Sequence, residues 1–196
     1  MNRSVEDVLF EMVDLCDRFK LSYAVMGGLA VRVHGIPRPT FDVDFELSVN
    51  SEALHAFFAN AAELGYTIAE PFRNGWRDEV GGMQLVKMKT YLDVGHSVDV
   101  DIFIDETAFQ HSVMDRRQQL TIEGRKVQFV SAEDLILLKL LANRPRDLGD
   151  VADVLFVQGQ LDEPYLAHWA KQLGIRDRLQ TALTTANFLP FPPTAN

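Results

Sequence analysis

The sequence predicts an α+β protein, in which helices pack on a mixed β-sheet and a helical segment forms the C-terminal part. Two observations lead to this fold class. Apolar and polar residues alternate in several short segments before residue 130, whereas the segments after it repeat apolar residues every three or four positions. A hydrophobic content of 47% in 196 residues is enough for a buried core. We therefore expect a core over residues 1–130 and a helical segment over residues 131–196, packed together as one unit.

Helices and strands alternate in the first 130 residues. The predicted helices cover residues 4–20, 29–34, 51–64 and 106–117, with Ser4 and Ser51 as N-caps. The predicted strands cover residues 23–26, 41–49, 66–69, 83–92, 98–104, 119–122 and 126–130, the last two joined in a hairpin at Glu123-Gly124. The segments expected to be irregular, because they are rich in proline, glycine or charge, are 36–40 and 70–82.

The chain after residue 130 carries helix signals. Ser131 and the acidic pair Glu133-Asp134 have a spacing like that of a capping box, which favours a helix start. The predicted helices cover residues 131–143, 144–156, 164–173 and 176–184. The end of the chain, FLPFPPTAN, is rich in proline, which cannot continue a helix, and we expect an extended tail.

Charge and composition exclude several classes of protein. The formal net charge of −9 disfavours a protein that coats nucleic acid, because phosphate binding needs clustered Lys and Arg. No apolar run approaches the roughly 18 residues that a membrane span needs. Acidic residues such as Glu6 and Glu11 lie where a secretory signal would be apolar, and the lone Cys16 excludes an intrachain disulfide. The simplest interpretation is a cytoplasmic protein with no membrane partner.

Two predicted strands each carry a pair of aspartates on one face. In FDVDFEL, alternation places Phe41 on the buried face and Asp42, Asp44 and Glu46 on a wet one. In VDVDIFI, Asp99 and Asp101 share a face in the same way. Like charges this close repel, so neighbouring strands of this kind are stabilised by a cation between them. Mg²⁺ fits, and a pair of such ions can promote displacement at phosphorus; a solvent-exposed acidic face is the alternative.

A glycine pair joins the first predicted strand to a short helix. Gly27 and Gly28 lack side chains, so a phosphate can approach the backbone N–H groups and the positive dipole at the helix start. A tight turn without a ligand is the simpler alternative. Because Gly28 lies 14 residues before Asp42, a triphosphate at the helix end and its metal on the strand are geometrically compatible.

The segment GGLAVRVHGIPRPTFDVDFEL resembles the signature of the DNA polymerase β-like nucleotidyltransferase superfamily. The residues that carry this resemblance are Gly27, Gly28, Gly35, Arg38, Thr40, Asp42 and Asp44. Many members have Ser where this chain has Gly28. The later segment SAEDLILLKLLANRPRDLGDVADVLF resembles the helical segment of the AbiEii-type branch, which is associated with toxin–antitoxin and abortive-infection systems.

The resemblance implies a fold and an activity. Members have a mixed sheet, bind two Mg²⁺ ions and transfer a nucleoside monophosphate from an NTP to an acceptor, usually a hydroxyl. It implies that Asp42 and Asp44 bind the metals and that a third carboxylate lies in VDVDIFI. Asp101 is favoured for this role because an apolar run follows it directly, and Asp99 is the alternative.

The resemblance also assigns cations and partners. Gly27, Gly28, Arg38, Thr40 and Arg146 are implied to bind the nucleotide, and Lys139 is implied to act at the triphosphate or acceptor as a catalytic residue. A surface lysine is the alternative for Lys139. Asp147 and Asp150 either orient these cations or belong to a helix N-terminus.

The acceptor stays open at this point. An AbiEii-like enzyme would modify RNA, such as a tRNA 3′ end, and would have a cognate antitoxin as a protein partner. A relative of the antibiotic-modifying enzymes would modify a small-molecule hydroxyl. A member without catalysis, which binds a nucleotide or a partner protein, is the alternative from another functional class.

Overall fold

Helices and strands fill most of residues 3–187, the part of the chain that this computed structural model describes. The helices are α1 (Val5–Phe19), α2 (Gly27–His34), α3 (Ser51–Glu63), α4 (Glu70–Arg73), α5 (Ala108–Arg116), α6 (Ala132–Ala142), α7 (Pro145–Val157), α8 (Glu163–Gln172) and α9 (Arg176–Asn187). The strands are β1 (Ser22–Met26), β2 (Asp42–Ser48), β3 (Thr67–Ile68), β4 (Asp78–Val80), β5 (Met83–Asp93), β6 (His96–Ile104), β7 (Gln118–Ile122) and β8 (Arg125–Phe129). The predicted α+β class is confirmed.

The strands of the described residues form one mixed sheet. Its order is β3-β5-β6-β2-β1-β8-β7, and β4 pairs with β5. The central strand β2 runs antiparallel to β1 and parallel to β6, which in turn runs antiparallel to β5. The two strands that carry the paired aspartates are therefore direct neighbours in the middle of the sheet.

Among the helices that follow the sheet, α6 buries apolar residues on nearly every side. In α6 the run Leu135–Leu140 is buried throughout, as expected for a helix that neighbouring helices surround. Helix α6 contacts α2, α7, α8 and α9, and α7 also contacts α2. The packing of α6 and α7 on α2 brings the later part of the chain next to the glycine turn. Among residues 3–187, none of the helices has the length and apolar character required to cross a bilayer.

Two side chains of the aspartate strand differ from the alternation. Phe41 precedes β2 and is 66% exposed, so its predicted place on the buried face was wrong. Glu46 is fully buried rather than on a wet face, because α5 covers this end of the strand. Gln110 of α5 donates its amide N–H to Glu46 Oε1 at 2.6 Å. The solvent-accessible acidic part of this face of β2 is thus limited to the start of the strand, around Asp42 and Asp44.

Two local predictions need correction, and a third lies outside the described residues. Residues 70–82 are not wholly irregular, because they contain α4 and β4, and β4 is a strand through its pairing with β5. The N-cap of α3 is Asn50, whose side chain accepts from Ala53 N–H, and not Ser51. The tail predicted to be extended, residues 188–196, is the part that falls outside the described residues.

Candidate active site

A cavity of about 620 Å³ opens above the neighbouring strands β2, β6 and β5 and reaches the start of α7. Its lining includes most of the side chains and glycines expected from the sequence. These are Gly28, Arg38, Thr40, Asp42, Asp44, Asp99, Asp101, Lys139 and Arg146. Gly27 is not part of the lining, but it contacts the site through Asp44, as described below.

The sheet register decides which carboxylates are neighbours. Asp44 lies beside Asp101 and Asp42 lies beside Asp99 across the parallel pair β2–β6. Adjacent strands are about 4.8 Å apart, so each aspartate has one neighbour across the sheet and another two residues along its own strand. The side chain of Asp101 is 26% exposed, whereas that of Asp99 is 54% exposed. Asp101 is thus the more enclosed of the two candidates for the third carboxylate.

The carboxylates at the centre of this group resist ionisation. Burial, followed by the negative charges of Asp101 and Asp42, raises the pKa of Asp44 to about 7. Burial also raises the pKa of Asp101, although the ammonium of Lys87 acts in the opposite direction. A cation held between these side chains would favour their charged forms. A bound cation would therefore offset both the burial of these carboxylates and the repulsion between them.

The donor set fits Mg²⁺ only with the help of a substrate. In the described part of the chain, no three or more His, Cys, Asp or Glu side chains converge into a ready metal site. Mg²⁺ commonly binds one or two carboxylates and completes its shell with water and substrate phosphates. The oxygen donors of Asp42, Asp44 and Asp101 suit that mode of binding, in which the phosphates of a nucleotide supply the remaining ligands.

The glycine turn is shaped by the polar side chains that lie against it. Gly27 has a φ of 62°, and a Cβ atom placed on it would lie 2.6 Å from Cγ of Asp44. A Cβ atom on Gly28 would lie 2.8 Å from Cβ of Thr40 and would overlap the Thr40 hydroxyl. The two glycines thus allow Asp44 and Thr40 to pack against the first turn of α2.

A buried ion-pair cluster holds the lysine of α6. Lys139 Nζ is 2.9 Å from Asp147 Oδ1 and 2.6 Å from Asp150 Oδ2. Arg38 binds both carboxylate oxygens of Asp150, at 2.6 and 2.7 Å, and Arg144 Nε donates to Asp147 Oδ2 at 2.8 Å. Lys139 is 5% exposed, so the surface-lysine alternative is wrong. The two aspartates pair with cations, as one of their two interpretations expected, and Asp147 also accepts the backbone N–H of Arg144 at the start of α7, as the other expected.

The pKa values of the two aspartates agree with this pairing. Burial alone would raise the pKa of Asp147, but hydrogen bonds from Arg144 and Lys139 lower it overall. The pKa of Asp150 is lowered in the same way by Arg38 and Lys139, against the effect of burial. Both carboxylates therefore stay ionised, and their negative charges balance the positive charge of the Lys139 ammonium.

The arginines at the start of α7 are more open than Lys139. Arg144 and Arg146 are exposed and line the cavity. Arg146 Nη2 donates to the carbonyl oxygen of Pro39 at 3.1 Å, and within residues 3–187 it forms no ion pair with a carboxylate. The hydrogen bond and charge of Asp147 raise the pKa of Arg144 against the effect of burial, and the negative charges of Asp44 and Asp42 add to this increase. Arg146, and the exposed part of the Arg144 guanidinium that does not bind Asp147, are available to an anion in the cavity.

The sequence analysis missed the side of the cavity that β5 forms. Lys87 and Lys89 alternate along β5, so both point to the face that carries the aspartates. Lys87 Nζ is 3.9 Å from Asp101 Oδ2, and Lys89 Nζ is 3.2 Å from Asp99 Oδ1. The period-two pattern KMK in the strand before VDVDIFI was the signal that could have revealed them. Phe72 and Thr67 also line this side.

Comparisons with known proteins agree with this geometry. A protein-family model described as "Nucleotidyltransferase of unknown function (DUF6036)" matches residues 4–180. None of the curated proteins matches the chain in sequence.

Solved structures share the fold at low sequence identity. An antigenic nucleotidyltransferase-like protein from Paracoccidioides brasiliensis is 20% identical, with a TM-score of 0.53 over 90% of each chain. The lincosamide antibiotic adenylyltransferase LnuA, solved with lincomycin bound, is 17% identical, with a TM-score of 0.55 over 81% of this chain and 100% of LnuA. The antibiotic-resistance factor ANT(2'')-Ia is 14% identical, with a TM-score of 0.50 over 91% of this chain and 92% of its own. At these identities the likeness concerns the fold.

Proposed function

The chain belongs to the nucleotidyltransferase family DUF6036, and from this premise we propose that it transfers a nucleoside monophosphate from an NTP to an acceptor hydroxyl with Mg²⁺. One observation carries the proposal. Asp42, Asp44 and Asp101 lie together beside the glycine turn at the start of α2, where burial and mutual repulsion raise the pKa of Asp44 to about 7. A non-catalytic fold has no evident reason to keep three repelling carboxylates in one cavity.

Each part of the site has a role in this proposal. Asp42, Asp44 and Asp101 would hold Mg²⁺, which when bound orients the phosphates and stabilises charge on the attacking and leaving oxygens. The backbone N–H groups at the start of α2 and the Thr40 hydroxyl bind the phosphates. Arg146 offsets the negative charge that develops on the leaving pyrophosphate.

The transfer exchanges one bond of the α-phosphorus for another. The acceptor oxygen forms a bond to the α-phosphorus, and the bond from the α-phosphorus to the bridging oxygen of the β-phosphate breaks, releasing pyrophosphate. The hydroxyl proton passes to Asp101, the carboxylate that lies between Asp44 of β2 and Lys87 of β5 in the sheet register. Lys139 keeps Asp147 and Asp150 in place and thereby positions Arg38 and Arg144 at the cavity.

Two classes of acceptor are compatible with the proposed reaction. The resemblance to the AbiEii-type branch supports an RNA acceptor and a cognate antitoxin partner. The structural likeness to LnuA supports a small-molecule hydroxyl. The assay must therefore offer both kinds of acceptor.

Transfer of labelled nucleotide tests the proposal. The protein is incubated with each α-labelled NTP, with and without Mg²⁺, and with RNA, protein or small hydroxyl compounds as acceptors. We expect Mg²⁺-dependent labelling of one acceptor class, which Asp44→Asn abolishes. Mg²⁺-dependent NTP binding without labelling would instead support a binding protein, and the absence of both binding and labelling would refute the proposal.

A matched pair of variants identifies the third carboxylate. Asp101→Asn and Asp99→Asn remove one charge each, two residues apart on the same face of β6. We expect Asp101→Asn to abolish labelling, because Asp101 lies beside Asp44 and is the less exposed of the two. Loss of labelling in Asp99→Asn alone would assign the role to Asp99.

A further inference from the structure

The β5 side of the cavity carries two lysines whose role the proposed reaction leaves open. Lys87 and Lys89 lie next to Asp101 and Asp99 in the sheet register and are each partly exposed, with 44% and 46% of their side chains accessible. Both line the same cavity as the aspartates. In a site for a cationic acceptor, two lysines at this position would repel the acceptor.

Cross-strand ion pairing is the simplest explanation for these lysines, and it accounts for them only in part. Lys87 Nζ lies 3.4 Å from Asp78 Oδ2 and 3.9 Å from Asp101 Oδ2, so no single carboxylate holds it closely. Exposed pairs of this kind stabilise a fold only weakly. Lys139, by contrast, is buried and bound at 2.6 and 2.9 Å. The β5 lysines are therefore able to exchange their partners for a ligand.

The lysines lie on the side of the carboxylates away from the glycine turn. Strand β5 is separated from β1, which leads into α2, by β6 and β2. At about 4.8 Å for each neighbouring pair, this distance is about 14 Å. Arg144 and Arg146 lie on the other side, because α7 packs on α2. The cavity thus has two separate cationic walls, with the aspartates between them.

The two walls match the two ends of an in-line displacement. In such a reaction the attacking and leaving oxygens lie on opposite sides of the phosphorus. If the triphosphate lies against α2 and the α7 arginines, the acceptor enters from β5, where Asp101 takes its proton. An anion that reaches Lys87 and Lys89 therefore belongs to the acceptor.

Resting on the proposed function, we propose that the acceptor carries a phosphate group, which Lys87 and Lys89 bind beside the reacting hydroxyl. Phosphate is an anion that lysine ammonium groups commonly bind as point charges. A phosphorylated small molecule and the phosphodiester of a short RNA end share this chemistry. A polycationic acceptor, such as an aminoglycoside, is repelled by the same two lysines.

The test measures binding, so it does not require turnover. The full chain is titrated calorimetrically with glucose 6-phosphate, with a ribonucleotide trimer and with tobramycin, each in the presence and absence of Mg²⁺ and a non-hydrolysable NTP analogue. The test variant is the double substitution Lys87→Gln and Lys89→Gln. Lys126→Gln is the matched control, because Lys126 is an exposed lysine on β8, at the other end of the sheet.

We expect at least one phosphate probe to bind and the double variant to weaken it by at least about tenfold, the effect of losing charged hydrogen bonds. Lys126→Gln should bind it normally, and the double variant Lys87→Arg and Lys89→Arg should retain most of the affinity, which excludes misfolding as the cause. Unchanged affinity in the double variant, no binding of either phosphate probe, or binding of tobramycin alone would overturn the proposal. Which phosphate probe binds distinguishes a small molecule from an RNA end.

The titration of the NTP analogue separates this inference from the proposed function. Mg²⁺-dependent binding of the analogue should persist in the double variant, because the lysines lie away from the glycine turn at which the triphosphate is proposed to bind. If the wild-type chain bound no NTP analogue with Mg²⁺, the proposed function would fail, whatever the phosphate probes did. Normal analogue binding with lysine-independent phosphate binding would refute the inference alone.

Discussion

Substitution of Gly28 by alanine tests how closely Thr40 packs on the glycine turn. Gly28 has no strained backbone angle, so an added methyl group acts only through what it touches. Its Cβ would lie 2.8 Å from Cβ of Thr40, which is buried at 9% exposure, and would overlap the hydroxyl. Thr40 cannot relieve this overlap by rotating its side chain, because its Cβ is fixed to the backbone.

Gly149 provides the matched control. It lies within α7, and a Cβ atom added there would have no neighbouring atom within 4 Å, so Gly149→Ala should gain the ordinary helix preference of about 0.5–1 kcal/mol. Gly28→Ala gains the same preference but also overpacks, at a cost of about 1–3 kcal/mol. For a domain of this size, 1 kcal/mol shifts the Tm by about 2–4 °C. We expect Gly149→Ala to raise the Tm and Gly28→Ala to lower it.

Thermal unfolding and calorimetric binding of a Mg²⁺–NTP analogue are the assays for this prediction. Thr40→Gly removes the overlapping atoms and should restore stability to Gly28→Ala, which a double-mutant cycle measures as coupling. Binding of the analogue should not return, because the Thr40 hydroxyl is lost. If Gly28→Ala were as stable as Gly149→Ala, or if the cycle showed no coupling, Thr40 would not pack on Gly28 and the reasoning about the turn would be refuted.

Three further variants test the charges of the site. Asp44→Asn should be more stable than the wild type at pH 7 in urea unfolding. The raised pKa of Asp44 means that wild-type stability falls as the pH rises from about 4 to 7, by at most about 1.4 kcal/mol for each pH unit. A stability difference between the two proteins that does not change with pH would contradict this. Lys139→Met removes the shared cation but leaves Asp147 paired with Arg144 and Asp150 with Arg38, so it should cost about 1–3 kcal/mol in urea unfolding, and a loss below about 0.5 kcal/mol would show that the cluster is not tightly coupled. Glu46→Gln should remove the part of the loss of stability with rising pH that Glu46 contributes, since burial raises the pKa of Glu46 well above its usual range, and an unchanged pH profile would argue against this assignment.

Local patterns in the sequence predicted the fold class and much of the site. Alternation along β2 indicated that Asp42 and Asp44 share a face, and the glycine pair before them indicated the turn that lies against this face. Asp42, Asp44 and Gly28 all line the cavity. The pairing of Asp44 with Asp101 could not be predicted from the sequence, because two strands that each carry a pair of aspartates can align in several registers. Hydrogen bonding across the sheet selects one of them. The separate antiparallel pairing of β5 with β6 brings Lys87 beside Asp101, and no local pattern specifies that contact.

The remaining errors have tertiary causes. Glu46 follows the alternation of its strand, but α5 covers it and Gln110 supplies its hydrogen bond from 64 positions away. Residues 70–82 contain strand β4 because β5 offers a free edge, not because of their own propensity. Lys139 lies on a helix that is apolar on nearly every side, so its burial depends on the carboxylates that α7 brings to it.

The central claim is that Asp42, Asp44 and Asp101 bind the metal of a Mg²⁺–nucleotide complex. The most direct measurement is a crystal structure grown with Mn²⁺, in place of Mg²⁺, and a non-hydrolysable NTP analogue, with the metal located by its anomalous scattering. We expect the Mn²⁺ signal between these three carboxylates and the phosphates, with the triphosphate against Gly28 and Thr40. A nucleotide bound elsewhere, or Mn²⁺ that does not contact Asp44, would contradict the claim.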